Sequence, residues 1–170
     1  GCSNVHIKGV TIQGDKRIPN GDGLHLTCCR DVIISDCNIA GGDDAIPIFT
    51  FHHWLETDQA VSENIAISNC LLSSDHSGIR LGYTGDGILQ NISYNNIIIR
   101  EAFTGIDIVN HITEIWEPYP EKNKNFYQSG PQIQNISFSN LNITADWGIT
   151  ANLYENTNPP AAIKDISFSN

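Results

Sequence analysis

Methionine is missing altogether from these 170 residues, and positive charge is scarce: nine Lys and Arg stand against nineteen Asp and Glu, giving a net charge of -10. Such an acidic chain is a poor partner for nucleic acid, because phosphate contacts need clustered Lys and Arg. Long hydrophobic runs are lacking too. None approaches the roughly 18 residues of a membrane span, and no signal-peptide pattern opens the sequence. The five cysteines (Cys2, Cys28, Cys29, Cys37 and Cys70) contain no Cys-x-x-Cys pair, so a zinc site has no support.

What the chain does have is repetition. One short phrase recurs six times: Asn4-Val-His-Ile-Lys-Gly-Val-Thr-Ile, Asp31-Val-Ile-Ile-Ser-Asp-Cys-Asn-Ile, Asn64-Ile-Ala-Ile-Ser-Asn-Cys-Leu-Leu, Asn91-Ile-Ser-Tyr-Asn-Asn-Ile-Ile-Ile, Asn135-Ile-Ser-Phe-Ser-Asn-Leu-Asn-Ile and Asp165-Ile-Ser-Phe-Ser-Asn. The intervals between first residues are 27, 33, 27, 44 and 30. A repeat of this length built from short β-patterned runs signals stacked coils. Within each phrase apolar and polar residues alternate (Val5, Ile7; Val32, Ile34; Ile65, Ile67), the period of a half-buried strand, and helical periodicity is lacking. The leading Asn or Asp suits a turn in left-handed backbone, and stacked side-chain amides there are expected to form a ladder. The sequons at Asn91, Asn135 and Asn142 are read as part of this repeat rather than as glycosylation sites. Cys37 and Cys70 share the seventh repeat position with Val10, Ile97 and Leu141, and Cys2 shares a column with Cys29, so buried, stacked thiols are expected.

A second phrase follows each first one: Gly23-Leu-His-Leu, Ala45-Ile-Pro-Ile, Gly78-Ile-Arg-Leu, Gly105-Ile-Asp-Ile and Gly148-Ile-Thr-Ala. Two strands per coil in same-direction stacking predict an all-β parallel β-helix of about five coils. At about 4.8 Å per coil that is a rod of about 24 Å. No capping element is visible, so residues 1–170 are expected to be a single β-helix domain truncated at both ends. Two insertions, from about Thr50 to Glu63 and from about Asn110 to Pro131, leave the stack on the same side. They carry His52, His53, Trp54, Trp116, Tyr119 and Tyr127, and should wall a groove.

In register, the residue before each second strand reads Asp22, Asp44, Ser77, Thr104, Trp147. The residue before that reads Gly21, Asp43, His76, Phe103, Asp146. Three carboxylates therefore meet on two adjacent coils, with His76 one coil on and His25, Arg80 and Asp107 outward on the strand that follows. Crowded carboxylates cannot all ionise together, which is the condition for one acid and one base at a single pH. Calcium is the other use for three acids, with Arg80 as the proton acceptor of a lyase.

At these residues the chain resembles glycoside hydrolase family 28, the polygalacturonase-like pectin hydrolases. Asn20-Gly-Asp22-Gly-Leu-His-Leu and Gly41-Gly-Asp43-Asp44-Ala-Ile look like the family's Asn-Thr-Asp and Gly-Asp-Asp-Cys signatures. The resemblance covers nearly the whole chain and implies a right-handed, pectin-lyase-like β-helix. It implies an inverting hydrolase in which Asp43 is the general acid and Asp22 with Asp44 holds the attacking water. The family's Gly-His-Gly falls at His76-Ser77-Gly78, so that Ser77 takes the histidine's place and His76 lies one residue early. Its Arg-Ile-Lys falls on Asp107-Ile108-Val109. The expected catalytic set is Asp22, Asp43, Asp44 and His76. Expected substrate contacts are Arg80, His25, Asn20, Trp54, Trp116 and Asp107. No metal or other cofactor is expected. The expected partner is a polysaccharide or oligosaccharide, either polygalacturonate or a neutral or partly uronic glycan. A monomer is expected, and the resemblance implies a secreted or periplasmic location. The competing readings are a carbohydrate-binding or structural β-helix without catalysis and a calcium-dependent polysaccharide lyase.

Overall fold

A computed structural model describes residues 1–15, 17–50, 60–83, 87–109, 131–153 and 161–170. Every regular element among them is a strand, and every strand pairing is parallel. The elements are β1 (Ser3–Lys8), β2 (Thr11–Gln13), β3 (Leu26–Thr27), β4 (Arg30–Ser35), β5 (Asn38–Gly41), β6 (Ile46–Phe49), β7 (Val61–Ser74), β8 (Ser77–Leu81), β9 (Ile88–Val109), β10 (Gln132–Asn152) and β11 (Ala162–Ser169). Together they make a partial right-handed parallel β-helix, the hand that parallel crossovers favour. No described helix is long and apolar enough to cross a membrane.

The coils stack in the register of the repeat. Val5 pairs with Val32, Val32 with Ile65, Ile65 with Ile92, and Ile92 with Ile136. Each coil, however, has three strand segments rather than two. The first phrase bends at its sixth residue, so that β4 and β5, or the two halves of β7, lie on different faces. The bend requires left-handed backbone, and Gly9, Asp36, Asn69, Asn96 and Asn140 all supply it, with φ between 53° and 67°. Glycine bears no Cβ penalty there, and Asn and Asp tolerate the conformation best among the rest.

The leading corner is equally regular. Asn4, Asp31, Asn64, Asn91, Asn135 and Asp165 have φ between 53° and 57°. Their amides form the expected ladder: Asn64 Nδ2 donates to Asp31 Oδ1 at 2.9 Å, Asn91 to Asn64 at 3.1 Å, and Asn135 to Asn91 at 2.7 Å. A second ladder joins Asn96, Asn69 and Asp36. Inside, the columns are apolar. Ile34, Ile39, Ile46, Ile48 and Ile106 are wholly buried, and Tyr94, Phe138 and Phe168 stack with ring centroids 4.8 Å apart. The Tyr94 hydroxyl has no hydrogen-bond partner among the described residues, and burial pushes its phenol far up.

Four of the cysteines are buried, free thiols, and Cys37 and Cys70 each donate to the carbonyl two residues back at 3.2 Å. Cys2 departs from the expected buried column and is exposed, because β1 has a neighbouring coil on one side only. The bulge at Glu101 is the extra residue that lengthens the fourth coil relative to the fifth. Thr144 pairs with Arg100 and Ala145 with Ala102, leaving Glu101 unopposed at φ 58°.

Candidate active site

The third corner breaks the regularity of the other two. It lies between the second and third segments of each coil, where the inserted turn at Gly14–Gly21 meets Gly41–Asp44. Gly42 N–H donates to the Gly21 carbonyl at 2.8 Å, and Gly23 N–H to the Asp44 carbonyl at 2.9 Å. The two backbones approach so closely that a Cβ on Gly23 would lie 2.5 Å from the Ala45 carbonyl oxygen, and it would also meet the Ile39 side chain. This contact sets Asp22 against Asp44, whose N–H donates to Asp22 Oδ1 at 3.2 Å.

Around this contact the acids, His76 and Arg80 form one network. Asp44 is 2% exposed. Its Oδ1 lies 2.9 Å from His76 Nδ1 and accepts the Ser77 N–H at 3.1 Å; its Oδ2 accepts from Arg80 NH1 at 3.2 Å. Asp43, half-buried, has Oδ1 4.0 Å from His76 Nδ1. Asp22 Oδ2 lies 2.7 Å from His25 Nδ1. Although His76 is one residue early against the motif, it reaches both Asp43 and Asp44. Ser77, in the motif histidine's place, is buried, and its Oγ bonds His76 Nδ1 at 2.9 Å. Ser74 was not singled out from the sequence. Its hydroxyl donates to the Asp43 carbonyl and accepts the His76 N–H at 2.8 Å, bracing the turn.

The electrostatics separate the adjacent carboxyls. Burial raises Asp43 above its ordinary value, and the charges of Asp44 and Asp22 push the same way, against His76 and Arg80. Asp44 moves in the opposite direction. Its burial alone would raise it, but the hydrogen bond from His76, the Arg80 guanidinium and the Ser77 side chain hold it below the usual carboxylate range. The same Asp44 bond, opposed by burial, raises His76.

Arg80 and Asp107, read from the sequence as facing the groove, are nearly buried at 8% and 9% exposure. Alternation along the strand does point them outward, but Phe49 and Tyr83 lie over the guanidinium, 5.9 and 5.0 Å from its carbon. Arg80 NH1 is taken by Asp44, and Arg80 Nε lies 3.8 Å from Asp107 Oδ2, beyond hydrogen-bond reach. Asp107 Oδ1 accepts from the Thr150 hydroxyl at 2.7 Å. Asn20 is exposed, in left-handed backbone at φ 56°. Trp54 and Trp116 lie outside the described residues. Phe103 and Trp147 stood in the sequence columns without a role, yet Phe103 is exposed beside His76, and Trp147 is exposed where no further described strand covers β10. An apolar residue in the column of Asp43 and His76 was the signal that could have marked Phe103.

As a donor set for a metal, Asp43, Asp44 and His76 offer atoms within 4.8 Å of one another. One donor is nitrogen, and both Asp44 oxygens already have partners, a poor match to the six to eight oxygens that calcium takes.

A sequence model described as glycosyl hydrolases family 28 matches residues 1–167. Among curated proteins, the chain is 22% identical to polygalacturonase QRT2 of Arabidopsis thaliana, over 99% of this chain and 42% of that protein. It is 26% identical to a polygalacturonase of Medicago sativa, over 85% and 39%, and 27% identical to polygalacturonase-2 of Solanum lycopersicum, over 82% and 26%. The chain thus spans about two fifths or less of the length of these relatives. No solved structure matches at a significant level.

Proposed function

The chain belongs to glycosyl hydrolases family 28, and from that premise we propose that it carries the catalytic coils of a hydrolase that cleaves O-glycosidic bonds of a pectin-like polysaccharide with inversion. Asp43 is the general acid. It gives its proton to the glycosidic oxygen as the C–O bond breaks. A water attacks the anomeric carbon from the opposite face, and an ionised aspartate takes the water's proton. Asp22 and Asp44 hold and activate that water. His76 and Arg80 keep Asp44 ionised, and His25 holds Asp22 by the 2.7 Å contact.

The observation that carries this reading is the divergence of two neighbouring carboxyls, Asp43 raised and Asp44 lowered. Titratable pairs driven apart by their surroundings are how one site holds an acid and a base at one pH. The names of the relatives support a galacturonan-type substrate. In the intact parent protein, Asp43→Asn should remove reducing-sugar release from a responsive glycan while the fold is retained. Undiminished release would refute the assignment. An NMR spectrum of the first product anomer tests inversion.

A further inference from the structure

Aromatic surface continues the acid patch along the stack. Strand pairing sets Phe103 in the column of Asp43 and His76, two coils beyond Asp43, or about 10 Å at the usual strand spacing. The Phe103 ring centroid is 6.5 Å from that of His76. Trp147 pairs with Thr104, which pairs with Ser77, in the column of Asp44. Phe103 is 49% exposed with a coil paired on either side, whereas Trp147, 59% exposed, lies on the part of β10 that no further described strand covers, in a column buried on the coils before it. A large apolar side chain exposed beside a polar site, with both neighbouring coils in place, marks a candidate binding surface. An aromatic face suits a sugar ring: the weakly positive C–H groups on one side of a pyranose meet the negative face of the ring, while its hydroxyls stay free for polar partners.

Charge decides which sugar. On the third segments of the coils, Arg80 is the one Lys or Arg among the described residues, and it is buried and committed to Asp44 beside Asp107. Arg17, on the turn before Asn20, is already paired with Asp15 at 2.7 Å. His25 and His76 hold Asp22 and Asp44. Against these stand Asp22 and Asp107, with Asp146 next to Trp147, beside the paired Asp44 and the proton-carrying Asp43. A sugar carboxylate here would meet acidic surface and find no free guanidinium among the described residues to receive it.

We propose that Phe103 floors a subsite for an uncharged sugar unit, next along the groove from the three aspartates. This rests on the glycan reading above but not on cleavage, so the test separates the two. The full-length protein carrying Asp43→Asn is titrated calorimetrically with a linear oligogalacturonate, with the same oligomer methyl-esterified at every carboxyl, and with a panel of neutral oligosaccharides. The tightest binder should be uncharged. Phe103→Ala should weaken it about tenfold, in line with an aromatic stacking contact, and Phe103→Trp should restore it. Tightest binding by the free acid, no binding by any probe, or an unchanged affinity in Phe103→Ala would overturn the proposal. Binding to an uncharged probe that the unsubstituted protein never cleaves would sink the hydrolase and leave the subsite standing.

Discussion

Two corners of the same coil obey opposite rules. At the leading corner every coil repeats an Asn or Asp in left-handed backbone, and the exposed amides bond coil to coil. At the third corner the residues change with each coil, from Gly21 to Asp43, His76, Phe103 and Asp146, and charges there are bonded to one another around the buried Asp44 and Arg80. The first corner is solved once and copied, as a solenoid allows, since each coil contacts only its neighbours. The second concentrates like charges on adjacent coils. This arrangement works against stability unless each charge has a partner, and it is also what shifts Asp43 and Asp44 in opposite directions.

Substitutions at each corner can break that contrast. The largest effect is expected from Asp43→Asn, which should lower turnover by roughly 10²–10⁴ and leave the melting temperature almost unchanged. A stability loss with retained turnover would make Asp43 a turn residue like those of the ladder. Next comes Arg80→Ala. It strands the buried Asp44 carboxylate and should destabilise the fold by about 3–5 kcal/mol, read from the denaturant midpoint. A loss of a few tenths would mean that water already screens the pair. At the ladder corner, Asn91→Ala forces a Cβ residue without a local hydrogen bond into φ near 55°. The expected loss is about 1–2 kcal/mol, less for Asn91→Gly, with activity per folded molecule unchanged.

The smallest effect sharpens the electrostatic side. His76 lowers both Asp43 and Asp44. Removing its charge in His76→Gln should raise both, so both limbs of the kcat/KM profile should move to higher pH, with only a modest change at the optimum. An unmoved profile would show that His76 is neutral where the acids titrate. The signs for stability follow from the same shifts. The lowered Asp44 contributes stability that is lost as pH falls through its folded-state value. The raised His76 contributes stability lost as pH rises through its own.

Much of this fold is written in the repeat. Aligning the six phrases by their leading Asn or Asp yields the strand register directly, because the side-chain period of a strand fixes which residues stack. The meeting of Asp22 with Asp44 follows from that alignment. The split of the first phrase into two strand segments does not, because its bend occupies a polar position that alternation alone reads as one more outward residue, as at Asp36 or Asn69. The burial of Arg80 and Asp107 was hidden for another reason. Alternation gives the direction of a side chain but not what lies over it, and here Phe49 from the preceding coil and Tyr83, just past the end of the same strand, cover the guanidinium. His76 shows the same limit: one residue out of motif register, it still reaches Asp44 because the turn braced by Ser74 swings it back.

A carbon-detected NMR titration of the aspartate side-chain carboxyls addresses the separation of acid from base at its source. Asp43 should titrate above the ordinary carboxylate range and Asp44 below it, as their surroundings dictate. Titration of the two together near the ordinary value, or in the reverse order, would contradict the proposed division of labour between them.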